Sequence, residues 1–266
     1  MAPNAVETLR YIGPEHAERD DMDALLEKTF LSTVQLEGEG MENIPPMDQF
    51  VLGFLPHSGW IEPSAIDYYL RAVRQPAVWI SKIENESALP PWIVGNRRIL
   101  FVNRGVPNQN FYQAVEEILF HPEGIIASAF EGTRKGNPAN PSDLRSLAQA
   151  KAGLVRFAMN SGVPVLPVLV HGADQMIPEP EKAKLGKAGV VLELGRAILT
   201  KKKPVVKVVF SPPYSRHIKE GATSTGETSV KARASYHTDQ IVRKILIPQL
   251  LTIDPSYPLG YYSSQK

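Results

Sequence analysis

Cysteine is absent from all 266 residues, which removes disulfide staples, thiolate nucleophiles and cysteine-ligated zinc from the chemistry open to this chain. An excess of one charge is absent too. With 29 basic side chains against 28 acidic ones, there is no electrostatic footprint for wrapping a nucleic acid. No apolar run approaches the roughly 20 residues that a membrane-crossing helix needs; the longest, Val163 to Val170 and Ile245 to Leu251, both contain proline. Any membrane contact is therefore expected to be peripheral. Met1 to Asp21 has no apolar core of the kind a secretory signal requires, and together with the missing cysteines this gives the expectation of a cytoplasmic protein. There is no Gly-x-Ser-x-Gly elbow for a serine hydrolase. His121, His171, His217 and His237 show no metal-ligand spacing with carboxylates, so no metal is expected. Internal repeats and low-complexity tracts are missing as well.

What is present is core-forming material: 43% of the residues are hydrophobic, enough for one large domain or a domain with a small appendage. Met22, Leu25, Leu26 and Phe30 space as a short amphipathic helix, so residues 1–32 read as an N-terminal segment and 33–266 as the main domain. Within that domain, strands are predicted at Thr33 to Glu37, ending in the glycines at Gly38 and Gly40, and at Phe50 to Leu55, Ala77 to Ile80, Arg98 to Arg104, Ile125 to Phe130, Val163 to Val170, Val190 to Leu194 and Val205 to Phe210. Helices are predicted at Ser64 to Arg74, Phe111 to Phe120, Leu147 to Met159 and Val230 to Leu251, the last with a kink at Pro248. Strands alternating with helices make an α/β fold, a mainly parallel, mixed sheet flanked by helices. In such sheets chemistry collects at the carboxyl ends of the strands.

Three polar clusters fall at such ends. His57-Ser58-Gly59-Trp60-Ile61-Glu62 follows the strand at Phe50 to Leu55, placing an imidazole and a carboxylate at one strand-to-helix corner. Pro63 suits the first helical position, with Glu62 near the cap. Arg104 arrives at the end of a second strand. Glu131-Gly132-Thr133-Arg134 follows a third and runs into the Gly/Pro/Asn-rich loop from Lys135 to Ser142.

In order along the chain, these clusters resemble the sequence blocks of the glycerolipid acyltransferases, the family that includes 1-acylglycerol-3-phosphate acyltransferases and soluble glycerol-3-phosphate acyltransferases. The likeness runs from about Val34 to Ser215. Val34 to Gly38, with Glu42-Asn43-Ile44-Pro45, is similar to the strand and turn before the first block. His57 to Glu62 has the spacing of the His-x-x-x-x-Asp block, with Glu62 in place of aspartate. Gly95 to Arg104 resembles the second block. Phe130-Glu131-Gly132-Thr133-Arg134 resembles Phe-Pro-Glu-Gly-Thr-Arg, with Ala129 and Phe130 standing where phenylalanine and proline usually do. Val163 to Val168 resembles the fourth block, and Lys151-Ala152-Gly153 sits where a Lys-x-Gly is common. His121-Pro122-Glu123-Gly124 imitates the third block, but it lacks the arginine and precedes its strand.

The resemblance implies transfer of a fatty acyl group from a thioester, acyl-CoA or acyl-carrier protein, to the hydroxyl of a glycerol-phosphate lipid in phospholipid biosynthesis. Lysophosphatidic acid is the favoured acceptor. Glycerol-3-phosphate, a glycolipid hydroxyl, or a non-catalytic lipid-binding module on the same fold are the alternatives left open. His57 is the expected general base, since a neutral imidazole with a pKa near about 6.5 suits proton removal at neutral pH. Glu62 is its expected orienting acid, reaching the ring through a slightly wide turn or a folded rotamer. Arg104 and Arg134 are expected to clamp phosphate through paired N–H donors. Glu131 is expected to bond an acceptor hydroxyl or an arginine, and Gly132 and Thr133 to admit close backbone approach. Pro164 and Pro167 would shape a wall near the acyl chain. The acyl donor is a co-substrate and no cofactor is implied. Lys201-Lys202-Lys203 offers a patch for anionic lipid. Trp60, Trp79 and Trp92 read as core unless they line an acyl groove.

Overall fold

The computed structural model describes residues 32–57, 61–74, 77–82, 99–103, 109–131, 146–173, 203–216 and 227–263. The predicted N-terminal helix and the strand at Val190 to Leu194 lie outside the described residues, as do Lys201, Lys202, Trp60 and Trp92. Among the described residues seven strands form one sheet: β1 (Gln35–Glu39), β2 (Phe50–Leu55), β3 (Val78–Lys82), β4 (Ile99–Val102), β5 (Ile125–Ala129), β6 (Val165–His171) and β7 (Val205–Phe210). Their order across the sheet is β1-β7-β6-β2-β5-β3-β4.

β2 lies between β6 and β5 and is parallel to both, with Gly53 opposite Pro167 on one side and Ser128 on the other. All six of its residues are buried, as expected of a strand covered on both faces. β7 runs antiparallel to β6, and β1 runs parallel to β7, so the sheet is mixed at that edge. β1 is the predicted first strand moved two residues along. It continues through Gly38, because the Tyr69 ring lies where a side chain at that position would go.

Residue alternation sorts the core into two halves. Phe50, Leu52 and Phe54 of β2 face one side, where they meet α1 (Ile61–Val73) through Ile61, Ala65, Ile66 and Leu70. Val51 and Leu55 face the other. There they meet α2 (Gln109–Phe120), α3 (Gly153–Ser161) and the C-terminal helices α4 (Glu227–Ile241) and α5 (Ile247–Ile253). Among the described residues the helices therefore cover both faces, α1 on one and α2 to α5 on the other.

Two predicted helix starts and the passage at Pro248 have a physical reason for how the structure forms them. α1 begins at Ile61, which makes Pro63 its third residue rather than its first; any of the first turn's N–H groups lacks a helical acceptor, so proline fits there equally well. α3 begins at Gly153 rather than at Leu147. The stretch before it is drawn out of helical geometry by outside partners: Ala148 N–H donates to the Glu131 carboxylate and Lys151 N–H to the Phe130 carbonyl. α3 closes on Gly162, whose φ of 66° is the left-handed conformation glycine tolerates, with its N–H returned to the Ala158 carbonyl. At the C-terminus the helix passes Pro248 by way of a π-helical stretch, Val242–Leu246, in which Ile247 N–H reaches back to the Val242 carbonyl. A proline cannot donate to the carbonyl four residues back and its ring collides with it. The wider turn just before Pro248 carries the chain through.

Pro167 in a central strand would ordinarily interrupt a ladder. Its carbonyl accepts from Ser211 N–H on the β7 side, and a residue's N and O point the same way, so its missing N–H also faces β7. The regular pairing with β7 ends at Val168, opposite Phe210, so the proline sits where the ladder stops and forgoes only the bond that would return from position 167 to Ser211.

Candidate active site

The helix that follows β2, α1, packs on one face of the sheet, and the helix that follows β5, α3, packs on the other. Where adjacent parallel strands are followed by helices on opposite faces, a crevice outside their carboxyl ends is the usual place for ligands in open α/β sheets. His57 stands at one lip, two residues beyond β2, and Glu131 at the other, two residues beyond β5.

The two are joined directly. His57 N–H donates to Glu131 Oε2 at 2.8 Å, and Ala148 N–H donates to Oε1 at 2.6 Å. Glu131 is 2% exposed, and a buried carboxylate is stabilised by such charge-assisted bonds. Glu131 is set at this depth by Phe130, which extends the β2–β5 ladder: its N–H donates to the Phe54 carbonyl. The Phe130 ring is fully buried against Gly53, where any Cβ would intrude on it. A ring at the position where the family resemblance leads one to expect proline is thus matched by a missing side chain on the neighbouring strand.

The His57 imidazole is partly buried and meets Phe54 edge-on, with ring centroids 5.4 Å apart and planes at 88°. Phe54 in turn contacts Trp79 at 5.8 Å. The Trp79 indole N–H donates to Asp67 Oδ2 at 2.9 Å, so this tryptophan is a core residue of α1 and β3. Glu62 occupies the first turn of α1 and is 0% exposed. Only residues 58–60 separate His57 from the start of that helix, so both groups share one corner. The helix N-terminus also favours the ionised carboxylate.

The remaining candidates are spread more widely. Arg104, Gly132, Thr133 and Arg134 lie outside the described residues. Pro164 sits at the amino end of β6, its carbonyl accepting from Val51 N–H, and Pro167 is buried in mid-strand. Neither is at the carboxyl edge where His57 and Glu131 meet. The imitation block His121 to Gly124 is the turn entering β5, at the opposite edge of the sheet. Lys203 is exposed. His171, at the end of β6, approaches Asp254 at 3.5 Å, and His237 shares a 2.7 Å hydrogen bond with the Tyr214 hydroxyl. Among the described residues, no cluster of three or more histidine or carboxylate side chains is placed to hold a metal, and no helix is long and apolar enough to cross a membrane.

Sequence reasoning missed Leu147 to Ala150, which it read as helix. This segment lies across the end of β5 and supplies one of the two donors to Glu131. The Lys-x-Gly at Lys151 to Gly153 was the available signal, since it marks where the segment turns into α3.

A family model described as acyltransferase matches residues 35–171, a span from β1 to the last residue of β6 that includes His57, Glu62 and Glu131. Among solved structures, the chain is similar to the 1-acyl-sn-glycerophosphate (LPA) acyltransferase PlsC from Thermotoga maritima, at 18% identity over 86% of this chain and 84% of that one, with a TM-score of 0.49. No curated protein matches the chain. Because the family match spans just over half of the residues and contains both lips of the crevice, the chain belongs to the acyltransferase family.

Proposed function

We propose that this protein is an O-acyltransferase that moves a fatty acyl group from acyl-CoA or acyl-carrier protein to the hydroxyl of a glycerol-phosphate lipid, with lysophosphatidic acid as the favoured acceptor. The observation that carries the reading is the junction of two sequence blocks, His57 held through its main chain by Glu131 at the ends of adjacent central strands.

In this reading, one ring nitrogen of His57 takes the hydroxyl proton as the acceptor oxygen attacks the thioester carbonyl. The new C–O bond forms, the C–S bond breaks, and the proton passes to the departing thiolate. No protein nucleophile is needed, which agrees with a chain lacking cysteine and a serine elbow. Glu62 accepts a hydrogen bond from the other ring nitrogen and stabilises the imidazolium, the part played by the acid in a Ser-His-Asp triad. Arg104 and Arg134 are assigned to the acceptor's phosphate. Pro164 and Pro167 are assigned to the scaffold behind the acyl chain. The protein works in the cytoplasm and meets lipid at the membrane surface, Lys201 to Lys203 being the proposed contact with anionic headgroups.

The test incubates purified protein with labelled acyl-CoA or acyl-carrier protein and, separately, lysophosphatidic acid, glycerol-3-phosphate and a glycolipid. His57→Ala should lower ester formation by about a thousandfold and Glu62→Ala by about a hundredfold, in the range that general bases and their partners contribute. Arg104→Ala or Arg134→Ala should chiefly raise KM for phosphorylated acceptors. Ester formation that survives loss of His57 refutes the base. Lysolipid binding with no ester from either donor replaces the enzyme with a binding module.

A further inference from the structure

The stretch Leu147 to Ala150 is held from two sides. On one side Glu131 takes Ala148 N–H at 2.6 Å. On the other stands a short C-terminal turn, Gly260–Tyr262, far outside the residues that match the family. Ala150 N–H donates to the Tyr262 hydroxyl at 3.0 Å, Tyr261 N–H donates to the Leu147 carbonyl at 2.9 Å, and Leu147 N–H donates to the Pro258 carbonyl at 3.2 Å. Tyr262 is itself fixed, 6% exposed, with the Arg243 guanidinium 4.9 Å from its ring centroid. Burial, the largest influence, pushes its hydroxyl above the usual range, and the negative charge of Glu131 is among those that add to the rise. The hydroxyl is therefore neutral at physiological pH.

We infer that Tyr262 and the turn around it position His57 through the relay Tyr262–Ala150–Ala148–Glu131–His57, and that Glu131 is a positioning residue rather than a ligand of the acceptor. Both Glu131 oxygens carry main-chain donors and the side chain is 2% exposed, so it holds the main chain on either side of it and offers little surface to an acceptor. A carboxylate is required there because two N–H groups converge on it. The relay is mechanical: three links are hydrogen bonds and the fourth, from Ala150 to Ala148, is the peptide chain itself, so loosening the far end lets Ala148 and then the His57 main chain wander. The catalytic consequence rests on the assignment of His57 as base, whereas the structural coupling does not.

Two variants of the full chain test this. Tyr262→Phe removes only the hydroxyl and keeps the ring under Arg243. Glu131→Gln keeps the shape but offers one acceptor and an NH₂ group to two N–H donors, so one bond is lost. Native-state hydrogen exchange is read at the amides of Ala150, Ala148 and His57, with Val51, bonded to Pro164 inside the sheet, as reference. In Tyr262→Phe, exchange should rise about tenfold at Ala150 and about threefold at Ala148 and His57, with Val51 unchanged. kcat should fall about three- to tenfold, with acceptor KM within about twofold. Glu131→Gln should lower kcat about a hundredfold, again with little change in KM; a residue binding the acceptor hydroxyl would raise KM instead. If Glu131→Gln fails to fold, Tyr262→Phe decides alone. Wild-type exchange at Ala148 and His57 in Tyr262→Phe overturns the relay, and so does faster exchange with undiminished kcat. Full activity of His57→Ala removes the base while leaving the exchange measurement to judge the coupling.

Discussion

The two ends of the central strands are fastened by opposite charges. At the amino edge, a cation gathers carbonyl groups: the Arg74 guanidinium donates to the carbonyls of Pro45, Asp48 and Glu123, which lie in the turns entering β2 and β5, and it sits 5.0 Å from the centroid of the Phe50 ring. At the carboxyl edge, an anion gathers N–H groups, with Glu131 joining the exit of β2 to the segment across β5. Both clasps tie the same pair of parallel strands. At the carboxyl edge the two strands are followed by helices on opposite faces, so there the clasp stands where such sheets usually take a ligand. On the proposed function, the same device serves stability at one end and holds the proposed base in place at the other.

The comparison breaks if both clasps affect stability and activity alike. Arg74→Met deletes a half-buried cation and leaves three carbonyls to find other partners. Removing a hydrogen-bonding group of this kind costs about 2–4 kcal/mol, so the urea midpoint should fall markedly while kcat, measured where the chain is folded, stays within about twofold. A large fall in kcat with unchanged stability would assign Arg74 to the site and abolish the contrast. Burial lowers the Arg74 pKa, opposed by Glu123 and Asp48, but a guanidinium stays charged across the range in which the chain is folded.

Gly53→Ala comes next in size. The added methyl would press on the buried Phe130 ring, and overpacking of this kind costs about 1–3 kcal/mol. Unlike Arg74→Met, it should also reduce kcat, because Phe130 sets the depth of Glu131. Combining it with Phe130→Leu should recover part of the stability, a non-additivity expected of touching residues. If the two changes simply add in thermal melts, the Gly53–Phe130 match is not what shapes this corner. Trp79→Phe should cost about 1–2 kcal/mol by leaving Asp67 Oδ2 without the indole donor. Since Trp79 backs the Phe54 ring that touches His57, its effect on kcat should lie between those of Gly53→Ala and Arg74→Met.

Much of this arrangement was legible in the residues, for identifiable reasons. β2 and β7 appear where they were predicted because their apolar runs are bounded by polar or turn-forming residues on both sides. α1 was found from the recurrence of Ile66, Leu70 and their neighbours, though its start was missed because proline fits any position in a helix's first turn. His57 and Glu62 were legible because their spacing is local. Glu131 was singled out, but its partners were not: Ala148 N–H and His57 N–H are main-chain donors, and main-chain groups carry no signature of their own in a sequence. The break in helix at Leu147 to Ala150 was hidden for the same reason. Those residues have ordinary helical propensity, and tertiary hydrogen bonds from Glu131, Phe130 and Tyr262 override it. The antiparallel pairing of β7 was equally out of reach, since strand direction is a property of the connection, and the prolines and glycines among residues 174–202 do not say in which direction the chain returns.

The weakest fastening at the carboxyl edge sharpens the contrast from the other side. His171, closing β6, meets Asp254 at the end of α5 at 3.5 Å. Unlike Glu131, Asp254 is partly exposed, and its pKa lies below the ordinary carboxylate value, chiefly through the Ser256 hydroxyl at 2.7 Å, with His171 contributing less. A carboxyl whose pKa is depressed by folding contributes stability above its unfolded pKa of about 3.9 and loses that contribution as pH falls through the lower folded value. Asp254→Asn should therefore be less stable than the parent at neutral pH, by about 0.5 kcal/mol or less for so exposed a group. The gap should close in acid denaturation series below about pH 3.9, while kcat remains unchanged throughout. A gap that persists in acid would mean that Asp254 acts through packing rather than charge, and a loss of kcat would mean that solvent-exposed contacts at this edge also govern the crevice, leaving burial of the clasp irrelevant.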